Sequence, residues 1–274
     1  MTVTAEPSTT TTTADEPGTA ADGTAAAVEG VWLPAEGAAR RGTVVLLPGR
    51  GESAGVYRRF GRRLAADGYL VHVPDLGPAP APAEVTATLA ALTEEAPAPV
   101  VLAGSDTGAL LALAAAAAGG RPDGLLLAAL PLDAAGAVPA DWEDELAART
   151  ACPAHRGVLA TAPGFTRGGF TEPVPEGLLT TAAAPPRDLP PVLVLHGAAD
   201  PVAPVQAVRR FAADLPAATL VLVEDGRHDV LNDATHRSVA AQVVQWLERL
   251  RGGPALPRVL TVEEVSRSAR AASR

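Results

Sequence analysis

The chain has 274 residues, of which 47% are hydrophobic and 19% are charged, a composition that suits one globular domain with a sizeable core. A formal net charge of −9 argues against nucleic acid or an anionic membrane as a partner. The single cysteine, Cys152, excludes an internal disulfide and a metal site built from several cysteines.

The sequence also gives no sign of export or membrane insertion. No basic start followed by an apolar run is present, so we expect no signal peptide. The longest apolar run, residues 109–118, is too short and too rich in alanine to span a membrane. We therefore expect a cytoplasmic protein with no membrane partner, and no motif implies a cofactor or a metal.

The first part of the chain divides into a tail and the start of a folded core. Residues 1–27 are acidic and lack a hydrophobic period, which predicts a disordered tail. An edge strand is predicted near residues 30–34 and a buried strand over 43–47. A helix over 58–67 and a strand over 69–73 follow, so the core is expected to begin near residue 28.

The alternation of strands and helices continues to residue 252, with one interruption. Strands are predicted over 99–103, 125–130, 192–195 and 220–223, and helices over 109–118, 205–215 and 235–250. This pattern predicts an α/β protein with a mostly parallel central sheet flanked by helices, built from residues 28–131 and 192–252. Residues 132–191 break the pattern and predict a small, partly helical cap, and a capping box at Thr261 predicts a short helix within a C-terminal tail over 253–274.

The turn after the strand over 99–103 carries the most informative residue. A sharp strand-to-helix turn needs small residues two positions before and two positions after its exposed side chain. Gly104 and Gly108 satisfy this spacing around Asp106. A turn centred on Ser105 would place Ala103 and Thr107 at the flanks, so Ser105 is the weaker candidate for a nucleophile. The position at which a serine would be expected therefore holds a carboxylate.

Two further residues complete a predicted catalytic group. Asp200 and His228 each follow a predicted strand, at the edge where open parallel sheets place their sites. We predict that His228 performs acid–base chemistry while Asp200 holds its tautomer and offsets its charge. Asp229 or Asp233 could replace Asp200 as the partner of His228.

Other residues are predicted to bind the substrate. The backbone N–H groups of Arg50 and Thr107 are expected to form an oxyanion hole, because glycines around Arg50 let the backbone approach a ligand closely. Ser105, Trp142 and His155 are candidates for the lining of the substrate pocket.

Four motifs in chain order resemble the α/β-hydrolase superfamily, on the branch of enzymes similar to monoglyceride lipases and lysophospholipases. They are residues 47–51 (LPGRG), 102–109 (LAGSDTGA), 196–201 (HGAADP) and 228–233 (HDVLND). The resemblance covers residues 30–252 and implies an α/β-hydrolase fold with a cap. The departure from the family pattern is Asp106 in place of serine, which puts ordinary ester hydrolysis in doubt.

The resemblance leaves three functions open. Related lyases of polyketide tailoring, which expel acetate to form the exocyclic alkene of tetronates, use this fold without hydrolysis. The first expectation is therefore a lyase of secondary metabolism that eliminates a carboxylate such as acetate from an O-acylated small-molecule substrate. The alternatives are a hydrolase with Asp106 as covalent nucleophile, of the epoxide hydrolase or dehalogenase type, or an esterase-like hydrolase; and a non-catalytic, ligand-binding pseudo-hydrolase. The oligomeric state is left open.

Overall fold

A computed structural model describes residues 30–77, 79–132 and 136–261 of the chain, together with Met1. The predicted N-terminal tail over 1–27 lies outside the described residues, apart from Met1. The helix predicted within the C-terminal tail also lies outside them, apart from Thr261.

Strands of the described residues form one sheet of seven members. They are β1 (Val31–Trp32), β2 (Gly42–Leu47), β3 (Tyr69–His72), β4 (Val100–Ser105), β5 (Gly124–Ala128), β6 (Val192–Gly197) and β7 (Ala218–Val223). Their spatial order is β1-β3-β2-β4-β5-β6-β7. The two-residue strand β1 pairs with β3 in antiparallel register, and the other pairs are parallel. The predicted α/β class with a mostly parallel sheet is confirmed.

Helices cover both faces of this sheet. They are α1 (Arg58–Ala66), α2 (Pro82–Thr93), α3 (Thr107–Ala117), α4 (Trp142–Arg149), α5 (Pro153–Thr161), α6 (Glu176–Ala183), α7 (Val205–Asp214) and α8 (His236–Arg251), with single 3₁₀ turns at Ala54–Tyr57 and Gly169–Thr171. Residues from α1 and α8 share one apolar core with Val44 and Leu46 of β2. Residues from α2, α3 and α7 share the other with Val45 and Leu47. Successive strand residues point to opposite faces, so both faces of β2 must be apolar.

The segment between β5 and β6 contains α4, α5, the second 3₁₀ turn and α6. Helix α6 packs against α3. The end of α4 meets the loop after β7, where the backbone N–H groups of His228 and Asp229 donate to the carbonyls of Ala148 and Arg149 at 3.2 and 2.8 Å. This segment therefore reaches the edge of the sheet at which parallel strands end.

The described residues contain neither a membrane-spanning helix nor a cluster of metal ligands. None of the helices is both long enough and apolar enough to cross a membrane. No group of three or more His, Cys, Asp and Glu side chains in this part of the chain is arranged to hold a metal ion.

Candidate active site

The turn between β4 and α3 holds Asp106 in a strained backbone conformation. Its φ and ψ are 52° and −126°, a region in which a non-glycine residue costs about 1–3 kcal/mol. The turn is tight, because a Cβ added to Gly104 would lie 2.2 Å from the carbonyl oxygen of Gly108. A Cβ on Gly108 would lie 2.3 Å from the carbonyl oxygen of Leu47. Because Gly104 and Gly108 have no side chains, the turn can close, and Asp106 then lies just beyond the end of β4.

His228 lies beside this turn and is oriented by Asp200. The Nδ1 atom of His228 is 2.8 Å from Oδ2 of Asp200. The other oxygen of Asp200 accepts backbone N–H bonds from Val202 and Ala203 at 2.8 and 3.0 Å. Because the carboxylate is held by the chain that follows it, the imidazole presents Nε2 to the turn at Asp106.

The Asp106 carboxylate contacts both His228 and Arg50. Its Oδ1 atom faces Nε2 of His228 across 3.3 Å. Its Oδ2 atom accepts the backbone N–H of Arg50 at 2.9 Å and the Nε–H at 2.8 Å, and Oδ1 accepts Nη2–H at 2.9 Å. The sequence favoured a backbone role for Arg50 over a role for its side chain. The structure also brings the guanidinium to the site, in the two-pronged geometry that arginine forms with carboxylates.

The charges of this group stabilise one another. Burial alone would raise the pKa of Asp106, but the hydrogen bonds and charges of His228 and Arg50 outweigh it and hold that pKa far below its usual range. Burial would lower the pKa of His228, yet the charge of Asp200 and the contact with Asp106 raise it to about 10. At neutral pH the ligand-free site therefore contains an imidazolium between two carboxylates.

The site is covered by the second 3₁₀ turn of the cap. The Phe170 ring meets the His228 ring edge-on, with centroids 4.8 Å apart. The Arg50 guanidinium lies 5.3 Å from the centroid of Phe170, and its Nη1 donates to the carbonyl of Glu172 at 2.8 Å. The side chains of Asp106 and His228 are only 2% and 1% exposed, so a ligand can reach them only if this cover moves.

Of the other predicted pocket residues, Trp142 lines a cavity and Ser105 is buried. Trp142 begins α4 and lines a cavity of about 200 Å³ together with Arg167 and Phe170. The Arg167 guanidinium lies 4.5 Å from the centroid of the Trp142 ring. Ser105 is the buried last residue of β4, and its hydroxyl lies beside that of Tyr57.

The side chains of His155, Asp229 and Asp233 form hydrogen bonds with residues other than His228. The Nε2 atom of His155 is 3.0 Å from Oδ2 of Asp229, in the interior. Asp233 accepts the hydroxyl of Thr150 at 2.7 Å and the N–H of Ala151 at 2.8 Å. Asp200, rather than Asp229 or Asp233, is thus the carboxylate on Nδ1 of His228. Thr107 is the first residue of α3, next to Asp106.

Sequence reasoning missed a buried charge cluster that joins α4 to the loops after β2 and β7. Arg149, the last residue of α4, has no exposed surface. It lies 3.0 Å from Glu145, and 3.4 Å from both Glu52 and Asp229. The local signal was the spacing of Glu145 and Arg149 by four residues, which places them on one helix face. The contacts to Glu52 and Asp229 link distant segments and left no local pattern.

Comparison with known proteins finds a family and several similar folds. A family model described as the alpha/beta hydrolase family matches residues 44–242. A monoacylglycerol lipase from Paleococcus ferrophilus is 18% identical with a TM-score of 0.63, over 80% of this chain and 97% of that one. A soluble variant of monoglyceride lipase from Saccharomyces cerevisiae, solved with a substrate analogue, is 18% identical with a TM-score of 0.62, over 80% and 90%.

A third similar structure is a mutant form of a type II thioesterase from the yersiniabactin NRPS/PKS biosynthetic pathway. It is 22% identical with a TM-score of 0.55, over 80% of this chain and 97% of that one. No curated protein matches the chain. At these identities the solved structures establish the likeness of the fold alone.

Proposed function

This chain belongs to the alpha/beta hydrolase family, and from that premise we propose that it is a carbon–oxygen lyase. Its substrate is an O-acylated small molecule with an activating carbonyl group, from which it eliminates a carboxylate such as acetate. The observation that carries the proposal is the fixed ion pair at the turn after β4, where Asp106 is bound by Arg50 and faces His228.

Asp106 is poorly suited to acyl transfer. A carboxylate that attacks an ester forms a mixed anhydride, which is high in energy. The low pKa of Asp106, which arises from its contacts with His228 and Arg50 against the effect of burial, also makes it a weak nucleophile. The site therefore favours a reaction in which Asp106 keeps its charge and supports His228.

His228 is suited to remove a proton from carbon. Because Asp200 and Asp106 raise its pKa to about 10 against the effect of burial, its neutral form is a strong base. In the proposed reaction, His228 first releases its Nε2 proton to solvent when the cover formed by Phe170 moves, and the neutral imidazole then takes at Nε2 the proton next to the substrate carbonyl. The electrons of that C–H bond form the new alkene, the C–O bond to the acyloxy group breaks, and the carboxylate leaves as an anion. The proton remains on His228.

Arg50 is placed to stabilise the developing enolate. Its backbone N–H and its Nε–H converge on one oxygen, Oδ2 of Asp106. A substrate carbonyl oxygen that displaces Oδ2 of Asp106 would receive both donors, while Oδ1 of Asp106 could keep its contacts with Nη2 of Arg50 and with His228. Oxygen charge of this kind is what an oxyanion hole stabilises. The N–H of Thr107, at the start of α3, is the second backbone donor that we propose.

The cap cavity is the proposed binding place for the rest of the substrate. It measures about 200 Å³ and is lined by Trp142, Arg167 and Phe170, and Phe170 is also the ring that covers His228. Movement of Phe170 would join the cavity to the buried group. The likeness to a thioesterase of an NRPS/PKS pathway is compatible with a tailoring role in secondary metabolism.

A second candidate is a hydrolase in which Asp106 attacks an epoxide or an alkyl halide. One observation favours it: the Asp106 carboxylate stands at the position of the family's nucleophile, with Oδ2 bound by the N–H of Arg50 and Oδ1 facing His228. Against it, epoxide opening needs a donor to the departing oxygen, and both tyrosines of the chain are engaged elsewhere. The hydroxyl of Tyr57 bonds to Glu52 and that of Tyr69 to Glu248.

The two candidates are separated by isotope labelling. The purified protein is given the acetate ester of a β-hydroxy ketone, or styrene oxide, in water enriched in heavy oxygen. Elimination releases unlabelled acetate and an alkene, seen by mass spectrometry. A covalent hydrolase instead leaves heavy oxygen in Asp106 after one turnover on the epoxide, which would overturn the lyase.

Variants test whether the buried group performs the reaction. His228→Gln and Asp106→Asn should abolish alkene formation, and Asp214→Asn, an exposed change at the end of α7, should not. Folded wild-type protein that forms no alkene from β-acyloxy carbonyl compounds would contradict the proposal and favour a ligand-binding pseudo-hydrolase.

A further inference from the structure

The two peptides on either side of the one that carries the Arg50 N–H are held by a cluster separate from Asp106 and His228. On one side, the N–H of Gly49 donates to Oε2 of Glu52 at 2.9 Å. On the other, the carbonyl of Arg50 accepts Nη2–H of Arg149 at 2.8 Å. The direction of the Arg50 N–H toward Asp106 thus depends on two buried side chains that lie outside the proposed chemistry.

Arg149 connects this peptide to the cap. It belongs to α4, and its guanidinium stacks on the ring of Phe170, 4.0 Å from the centroid. The same guanidinium lies near the carboxylates of Glu145, Glu52 and Asp229. One cation therefore holds the loop after β2, the loop after β7 and the cover of His228 in a single arrangement.

Glu52 is the member of this cluster whose charge is least well compensated. Its carboxylate accepts from the Tyr57 hydroxyl and faces Asp229, which is itself bonded to His155. Burial and the negative charge of Asp229 raise the pKa of Glu52 to about 7, although Arg149 opposes the shift. The carboxylate that accepts the Gly49 N–H is therefore one whose pKa lies near neutrality.

Across Gly49 from Glu52, on the side of the site, lies the charged group Asp106. A Cβ added to Gly49 would be 2.9 Å from both Oε2 of Glu52 and Cβ of Asp106. Asp106 is neutralised by Arg50 and His228, whereas Arg149 must serve Glu145 and Asp229 as well as Glu52. Uptake of a proton by Glu52 would weaken its hold on both Gly49 and Arg149.

We propose that Glu52 and Arg149 are positioning residues that aim the Arg50 N–H into the site, and that protonation of Glu52 changes this aim. The inference rests on the proposed function for the role of that N–H in stabilising an enolate. The expected consequence is that the direction of the Arg50 N–H depends on pH through Glu52, a residue that contacts no reacting atom.

The test is nuclear magnetic resonance of the full-length, ligand-free protein from about pH 5 to about pH 9. We expect the amide signals of Gly49 and Arg50 to shift with one midpoint near pH 7, equal to the midpoint of the Glu52 carboxyl carbon. Flat amide signals, or amide and carboxyl midpoints that differ, would overturn the inference. This part uses only wild-type protein, so it does not depend on a variant that folds.

Variants assign the effect to the two residues. Glu52→Gln should remove the inflection at the Arg50 amide, and Glu176→Gln, an exposed change in α6, should keep it. Arg149→Lys keeps the charge but loses the planar fork, so the Arg50 amide signal should move even where Glu52 is ionised. An inflection that persists in Glu52→Gln would show that another group controls the amide.

These measurements need no substrate, so they fail or succeed independently of the lyase assay. If the amide signals shift with a midpoint near pH 7 but no alkene forms, Glu52 still positions the Arg50 N–H, and the role of that N–H in stabilising an enolate is contradicted. Alkene formation with flat amide signals would retain the lyase and remove the link.

Discussion

The carboxylate of Asp106 receives three hydrogen bonds from one residue, Arg50. One comes from the backbone N–H and two from the guanidinium, at 2.8 to 2.9 Å. The pair is nearly closed to solvent, with 12% of the Arg50 side chain and 2% of the Asp106 side chain exposed. A buried pair of this kind is expensive to break on one side, because the remaining charge stays buried without compensation.

Asp106→Asn should therefore reduce both stability and the basicity of His228. We expect the free energy of unfolding to fall by about 3 kcal/mol, because Arg50 keeps its charge and loses its ionic partner. The pKa of His228 should fall from about 10, since one of its two facing carboxylates is neutralised. Denaturant unfolding and resonances of the imidazole ring check the two effects. Asp214→Asn serves as the exposed control, and an unchanged His228 pKa would contradict the assignment.

The turn at Asp106 should depend on the absence of side chains at two glycines. Gly104→Ala and Gly108→Ala should each severely destabilise the protein, because the new Cβ would lie within 2.3 Å of backbone atoms. Gly157→Ala in α5 is the matched control, since a Cβ there meets nothing within 4 Å. It should stabilise the protein by about 0.5–1 kcal/mol, because glycine is unfavourable inside a helix. Thermal unfolding of the three variants tests the contrast.

The fold could be predicted from the sequence because the central strands of its sheet are buried on both faces. Such strands read as short continuous apolar runs, and the residues predicted for β2 and β3 differ from the observed bounds by one. Helix α2 was not predicted, because its alanine-rich sequence gives little contrast between its two faces. The helices of the cap were predicted only as a partly helical segment, since they are short and separated by glycine and proline.

Only those residues of the candidate site that a local sequence pattern marks could be predicted from the sequence. Asp106 is marked by two glycines, and Asp200 and His228 follow strands that end at one edge of the sheet. The guanidinium contact of Arg50 with Asp106 joins residues 56 positions apart. Arg149 reaches Glu52 over 97 positions. Contacts of this kind arise from packing of the whole chain, and no spacing within the sequence predicts them.

Arg149 should be among the residues whose loss is most damaging to stability. Arg149→Met leaves the carboxylates of Glu52, Glu145 and Asp229 buried without a cation, and we expect a loss of roughly 3–5 kcal/mol. Arg156→Met is the matched control, because Arg156 is partly exposed and its partner Glu143 is distant and mostly exposed. Its effect should stay below about 1 kcal/mol. Equal losses in the two variants would contradict the role given to Arg149.

Two buried titratable groups, His228 and Glu52, should make the protein less stable as the pH rises above their free-side-chain pKa values. His228 has a pKa of about 10 when folded and 6.5 as a free side chain, so its contribution is complete below pH 6.5 and is lost on the way to pH 10. Glu52 also binds its proton more tightly when folded, with a pKa of about 7 against 4.5. It therefore lowers stability as the pH rises between these values.

The contribution of Asp106 to stability rises with pH, which is opposite to the contributions of His228 and Glu52. Its folded pKa lies below the free value of 3.8, so its stabilisation is present above that value and is lost in acid. Together the three groups place the highest Tm between the free-side-chain pKa values of Asp106 and Glu52, 3.8 and 4.5. Thermal unfolding across the pH range should show His228→Gln flattening the alkaline limb and Glu52→Gln flattening the part from pH 4.5 to about 7. A Tm that rises steadily from pH 7 to pH 10 would contradict the ion pair assigned to His228, since an imidazolium between two carboxylates must lose stabilising charge when it is deprotonated.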